Sequence, residues 1–118
     1  PVALLNGCTR FCKTHQIPIE IIDDLNERML KKGELYITTE DKSLLQIIKR
    51  LKVQNLELVK DIGVIAYNET LLKEVVEGGI TTITTNFEKM GKDLAHMILN
   101  KVHLQVENPN QLILRNSL

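Results

Sequence analysis

At 118 residues, 43% hydrophobic and 25% charged, the chain is ordinary globular material with enough length for one real core. Fifteen basic residues balance fifteen acidic ones. Lys13, Arg28, Lys31, Lys32, Lys49, Arg50 and Lys52 are interleaved with acids, so no basic face for nucleic acid is expected. No apolar run is long enough for a membrane span, and two cysteines are too few for a disulfide framework, so a cytoplasmic setting is the default. The sequence opens at Pro1 as if in the middle of a structure, which predicts a piece of a longer chain.

Val2 to Gln16 reads as a helix with Leu4, Leu5, Cys8, Phe11 and Cys12 along one stripe. Cys8, Cys12 and His15 share that side, but three neighbouring ligands on one helix without a fourth favour half-buried thiols and a surface histidine over a metal. After Ile17-Pro18, the alternation of Ile19, Ile21 and Ile22 around Glu20 predicts a strand. Asp23 to Lys32 is charged and aperiodic, a connection with a helical turn. Glu34 to Thr38 is the next strand. Thr39 is then an expected N-cap, with Glu40 and Asp41 at the positive end of the following helix. Leu44, Leu45, Ile47, Ile48 and Leu51 make that helix amphipathic.

Ile62, Val64, Ile65, Ala66 and Tyr67 form a near-continuous apolar run, which suits a parallel strand covered on both faces. Polarity returns at Asn68, Glu69 and Thr70. Leu71, Leu72, Val75 and Val76 then mark a short helix, which Gly78 and Gly79 stop. Thr81 to Thr85 is a β-branched strand. Asn86 caps a helix to about Lys101, spanning roughly 86–102, with Phe87, Met90, Leu94, Met97, Ile98 and Val102 in one stripe. Asn108-Pro109-Asn110 is a turn, and a terminal strand is placed in 111–118, around Leu112 to Leu114. The fold class is therefore α/β, a parallel sheet flanked by helices, with residues 1–118 forming a single lobe. Ligands of open α/β sheets bind beyond the carboxyl ends of the strands, which points to Asn68–Thr70.

Three segments, DIGVIAYNET, ITTITTNFEKMGKDLA and the closing LILRNSL, occur in order and resemble the C-terminal signature of lac-repressor and galactose-repressor-type bacterial transcription regulators. The resemblance covers most of the chain, more loosely before Gly33. It implies the C-terminal half of a type I periplasmic-binding-protein-like effector domain: two α/β halves joined by crossing strands, with a small molecule in the cleft. DNA is read by a separate N-terminal domain in that family, either a lac-repressor-type helix-turn-helix or, in chimeric regulators, a GntR-type winged helix. The family's effector-gripping arginine falls on Leu4, its asparagine on Glu40 and its aspartate on Asn68. Leu4, Glu40, Asp41, Asn68 and Glu69 are therefore the candidate cleft wall. Three altered positions predict an effector other than a plain neutral hexose, or a pocket built from other residues, since an unpaired sugar hydroxyl costs about 1–3 kcal/mol.

There is no P-loop, G-x-S-x-G, H-E-x-x-H or C-x-x-C, and His15, His96 and His103 are scattered. No enzyme activity, cofactor or metal is expected. Dipole compensation is preferred over a ligand role for Glu40 and Asp41, while Asn68 and Glu69 suit both a cap and a pocket wall. The rival function, on the same fold, is a sugar- or solute-binding protein of a transport system. A signal peptide upstream would favour that rival, and a helix-turn-helix would favour regulation. The chain alone is expected not to bind DNA. A homodimer is predicted through one of two surfaces. Leu45, Leu72, Val75 and Val76 form the first, and the helix bearing Met90 and Leu94 forms the second. Without its partner lobe that helix is expected to fold back or dock on a second copy. Leu71 and Leu44 are expected to face the sheet.

Overall fold

A computed structural model describes every residue except Pro1 and Glu27. In chain order the elements are helix α1 (Val2–Thr14), strand β1 (Leu35–Thr38), helix α2 (Asp41–Gln54), strand β2 (Gly63–Tyr67), helix α3 (Leu71–Val75), strand β3 (Thr81–Thr85), helix α4 (Phe87–Asn100) and strand β4 (Asn110–Ile113). One sheet runs β1-β2-β3-β4. The first three strands are parallel, with Ile37 opposite Ile65 and Tyr67 opposite Ile83. β4 is antiparallel to β3, with Leu112 opposite Ile83.

The core lies between this sheet and α2. Leu44, Ile47, Ile48 and Leu51 recur at helical spacing, so they share a face, and all four are buried. They meet Val64 and Ala66 of β2, with Leu25, Leu30, Ile62 and Ile80 around them. Asn55 ends α2 in the left-handed region (φ 54°), a conformation asparagine tolerates. On the opposite face of the sheet Leu35 and Ile37 stay exposed, and they line a cavity together with Leu4 and Cys8 of α1, a helix that buries no residue.

The last residues complete the sheet. β3 begins opposite Ile65, so the backbone of Val64 has no β3 partner. Ser117 fills that notch: its carbonyl accepts from Val64 N–H at 2.7 Å, and its hydroxyl donates to Val64 O and accepts from Thr81 N–H, each at 2.7 Å. Ser117 is fully buried. The terminal strand expected over 111–118 is thus Asn110–Ile113 followed by a tail that passes the start of β3 to reach Val64 of β2.

Four expectations need correction. Ile19–Ile22 belongs to no strand. Alternation selects an extended backbone without supplying a partner, and a bidentate Glu20–Arg28 pair (2.6 Å for each bond) holds this segment as a loop. The N-cap of α2 is Glu40 rather than Thr39, because the extended backbone runs one residue further. On α3 Leu71 faces outward rather than toward the sheet: it is 83% exposed and the inward residue is Lys73, whereas Leu44 is buried as expected. Finally, of the two outcomes expected for α4, folding back on its own sheet is not the one seen. The helix buries no residue, and the radius of gyration of 16.9 Å exceeds the roughly 13 Å of a compact domain this long. Its expected cap holds, Asn86 Oδ1 accepting from Lys89 N–H at 2.9 Å.

Candidate functional site at the strand tips

The apolar run of β2 delivers Asn68 to the carboxyl edge of the sheet. Asn68 turns the chain in the left-handed region (φ 62°), and its N–H donates to Ile83 O at 2.8 Å. Thr70 then caps α3, its hydroxyl accepting from Lys73 N–H at 3.4 Å. The Lys73 ammonium returns beneath the turn and donates to Tyr67 O (3.1 Å), Asn68 O (2.8 Å) and Asp41 Oδ1 (2.9 Å). Lys73 is 4% exposed, whereas the Asp41 carboxylate that neutralises it is mostly open to solvent.

Glu69 points into a second network. Its N–H donates to the Thr84 hydroxyl at 3.1 Å, and Oε1 accepts from Thr70 N–H at 3.0 Å. Oε2 accepts from the Thr82 hydroxyl and from Arg115 Nη1, both at 2.7 Å. Burial pushes the Glu69 carboxyl up, but the Thr82 hydroxyl, the Arg115 guanidinium and the Thr70 N–H outweigh it, and the net direction is down. Arg115 reaches Glu69 across Gly79, at φ 103°, where an added Cβ would lie 2.7 Å from Arg115 Cδ. Glycine is required there both for its backbone and for that close approach.

The five candidate cleft residues are therefore distributed over this edge. Asp41 and Asn68 are joined through Lys73. Glu69 is committed to Arg115 and Thr82. Leu4 lines a cavity of about 560 Å³ beneath α1, shared with Cys8, Cys12, Tyr67 and Ile83. Glu40 lines a separate groove of about 390 Å³ beside β1, where the buried Thr38 hydroxyl has no hydrogen-bond partner among the described residues. The chain thus offers walls rather than one closed pocket around all five. Cys8 and Cys12 are half-buried free thiols, and exposed His15 stacks on Phe11 at 4.4 Å. Among the described residues no group of three His, Cys, Asp or Glu side chains is placed to hold a metal ion. No described helix is long and apolar enough to cross a membrane.

On the outer surface Leu45, Leu72 and Val75 are exposed at 49%, 55% and 71%, and Met90 and Leu94 are exposed on α4. Val76 is the exception among the expected interface residues, because it packs against the core. The residues that sequence reasoning missed are Lys73, Thr82, Thr84 and Arg115. The closing LILRNSL segment carried the only hint, since it holds Arg115 and Ser117.

The profile of the periplasmic binding protein-like domain family matches residues 13–118. No curated protein sequence matches the chain. Among solved structures, the Escherichia coli transcriptional repressor ascG superposes with a TM-score of 0.76 at 15% identity, over 97% of this chain and 49% of that one. The lac repressor dimer bound to operator and the anti-inducer ONPF gives 0.70 at 19%, over 96% and 46%. A LacI family transcriptional regulator from Lactobacillus casei with bound glucose gives 0.58 at 19%, over 71% and 32%. The chain spans about half the length of the ascG and lac repressors.

Proposed function

Because the chain belongs to the periplasmic binding protein-like domain family, we propose that it is the C-terminal lobe of the small-molecule-sensing domain of a bacterial, cytoplasmic transcription regulator. The observation that carries this reading is the tip of β2. Asn68 stands at the carboxyl edge of a parallel sheet, its backbone bonded on both sides and its side chain in no hydrogen bond among the described residues. That edge is where open α/β sheets bind ligands. The fold shared with repressors, one solved with an anti-inducer and another regulator with glucose, supports a sensing role over solute transport or catalysis.

The mechanism would be differential affinity. A molecule that fits one relative arrangement of two lobes more tightly than another shifts the population that binds DNA, and the shift cannot exceed that difference in affinity. DNA contact belongs to a separate domain, since this lobe carries no net charge. Dimerisation through Leu45, Leu72 and Val75 is supported by their exposure on adjacent helices. The stripe of α4 with Met90 and Leu94 is the surface a companion lobe or a second copy would cover.

Calorimetry of the full regulator against glucose, galactose and a panel of other small sugars tests the sensing role. Binding of a panel member that is weakened about tenfold or more by Asn68→Ala supports it. A panel member that binds with Asn68→Ala silent would reject the role given to this tip. Tight binding of glucose or galactose would overturn the narrower expectation that the altered positions exclude a plain hexose.

A further inference from the structure

We infer that Lys73 is a positioning residue: its buried ammonium sets the backbone of Asn68 at the effector-facing tip and does not itself touch the effector. The inference rests on the sensing role proposed above for that tip. An ammonium has three N–H donors and no acceptor. Lys73 spends them on Tyr67 O, Asn68 O and Asp41 Oδ1, at 3.1, 2.8 and 2.9 Å, and at 4% exposure it has no donor left for a ligand.

The need for such a donor follows from the strand end. The β1–β2 pairing stops at Ala66 and the β2–β3 pairing at Tyr67, so the carbonyls of Tyr67 and Asn68 lie at the frayed end of the ladder. Part-buried carbonyls are normally partnered, and a helix only five residues long does not bring its own N–H groups to them. Asn68 also sits at φ 62°, a left-handed turn that asparagine adopts more readily than most residues. Its N–H is tied to Ile83 O, and Lys73 ties the carbonyl side. Asp41, in the first turn of α2, supplies the countercharge, so the ammonium joins α2, the end of β2 and α3 at one point. This arrangement leaves the Asn68 side chain free to face the cleft.

Amide hydrogen exchange on the 118-residue chain tests this without any effector. Its outcome is therefore independent of whether the sensing role holds. Lys73→Met keeps the length and removes the donors. The Asn68 and Glu69 amides should then exchange about tenfold or more faster, measured relative to Val64 in the same sheet. Asp41→Asn, a change at an exposed carboxylate, should accelerate the same two amides by a smaller factor, about threefold, with Val64 unchanged. Equal acceleration at the tip and at Val64 in Lys73→Met would reduce Lys73 to a contributor to overall stability and overturn the proposal. So would a tip whose exchange does not change. Should Lys73→Met fail to fold, Asp41→Asn decides: faster exchange confined to the tip supports the proposal, and none overturns it.

Discussion

Helices α2 and α4 are each fourteen residues long and each carries an apolar stripe, yet α2 buries four residues and α4 buries none. The difference lies in what each stripe meets. Leu44, Ile47, Ile48 and Leu51 face the apolar strand β2, while Phe87, Leu94 and Ile98 are each more than half exposed. An amphipathic pattern establishes that a helix has a partner face, and says nothing about which chain or lobe supplies it.

The contrast can be broken at four points. The largest effect belongs to α2: Leu51→Ala should cost about 2–5 kcal/mol in urea unfolding, because it opens a cavity in the closed core. A cost below 1 kcal/mol would mean that α2 is not the element holding the sheet. Removing the cap of α3 with Thr70→Ala should cost about 1 kcal/mol, measured the same way. A smaller effect is carried by Glu69. Its carboxyl is held below the ordinary glutamate range, so its contribution is complete above the unfolded value of about 4.3 and fades as pH falls through the lower folded value. Arg115→Met should flatten that acid-side loss in a pH series of urea midpoints, and an unchanged slope would dissolve the assigned ion pair. The smallest effect belongs to α4. Leu94→Ala should change the stability of the 118-residue chain by no more than about 0.5 kcal/mol. A cost near that of Leu51→Ala would show that a second copy already covers this stripe.

What could be read from residues alone follows the same division. The order of strands and helices was legible because apolar periodicity changes cleanly between Tyr67 and Leu71 and again between Gly79 and Thr81. The family was legible in DIGVIAYNET and LILRNSL, which the matched profile covers. Lys73 was not legible: a lysine within LLKEVV reads as solvated, and only the sheet beneath it reveals orphaned carbonyls for its ammonium. Glu69 was noted as a cap or pocket acid, but its partner Arg115 lies 46 residues away, beyond any local pattern. Ile19, Ile21 and Ile22 showed the opposite error, an alternation with no neighbouring strand to use it.

Ser117 carries a consequence for the order in which the molecule comes into being. Its hydroxyl bonds to Val64 O across 53 residues of chain and receives the first N–H of β3 across 36. While the ribosome is still extending the segment after β3, both groups lack their seryl partner, and the junction between two central strands stands open to water. Domains generally fold as units during synthesis. The notch between β2 and β3 therefore stays unfilled until residue 117 has emerged from the exit tunnel. A stalled nascent chain shortened by only a few residues at this point should therefore be far more protease-sensitive than one in which Ser117 has emerged.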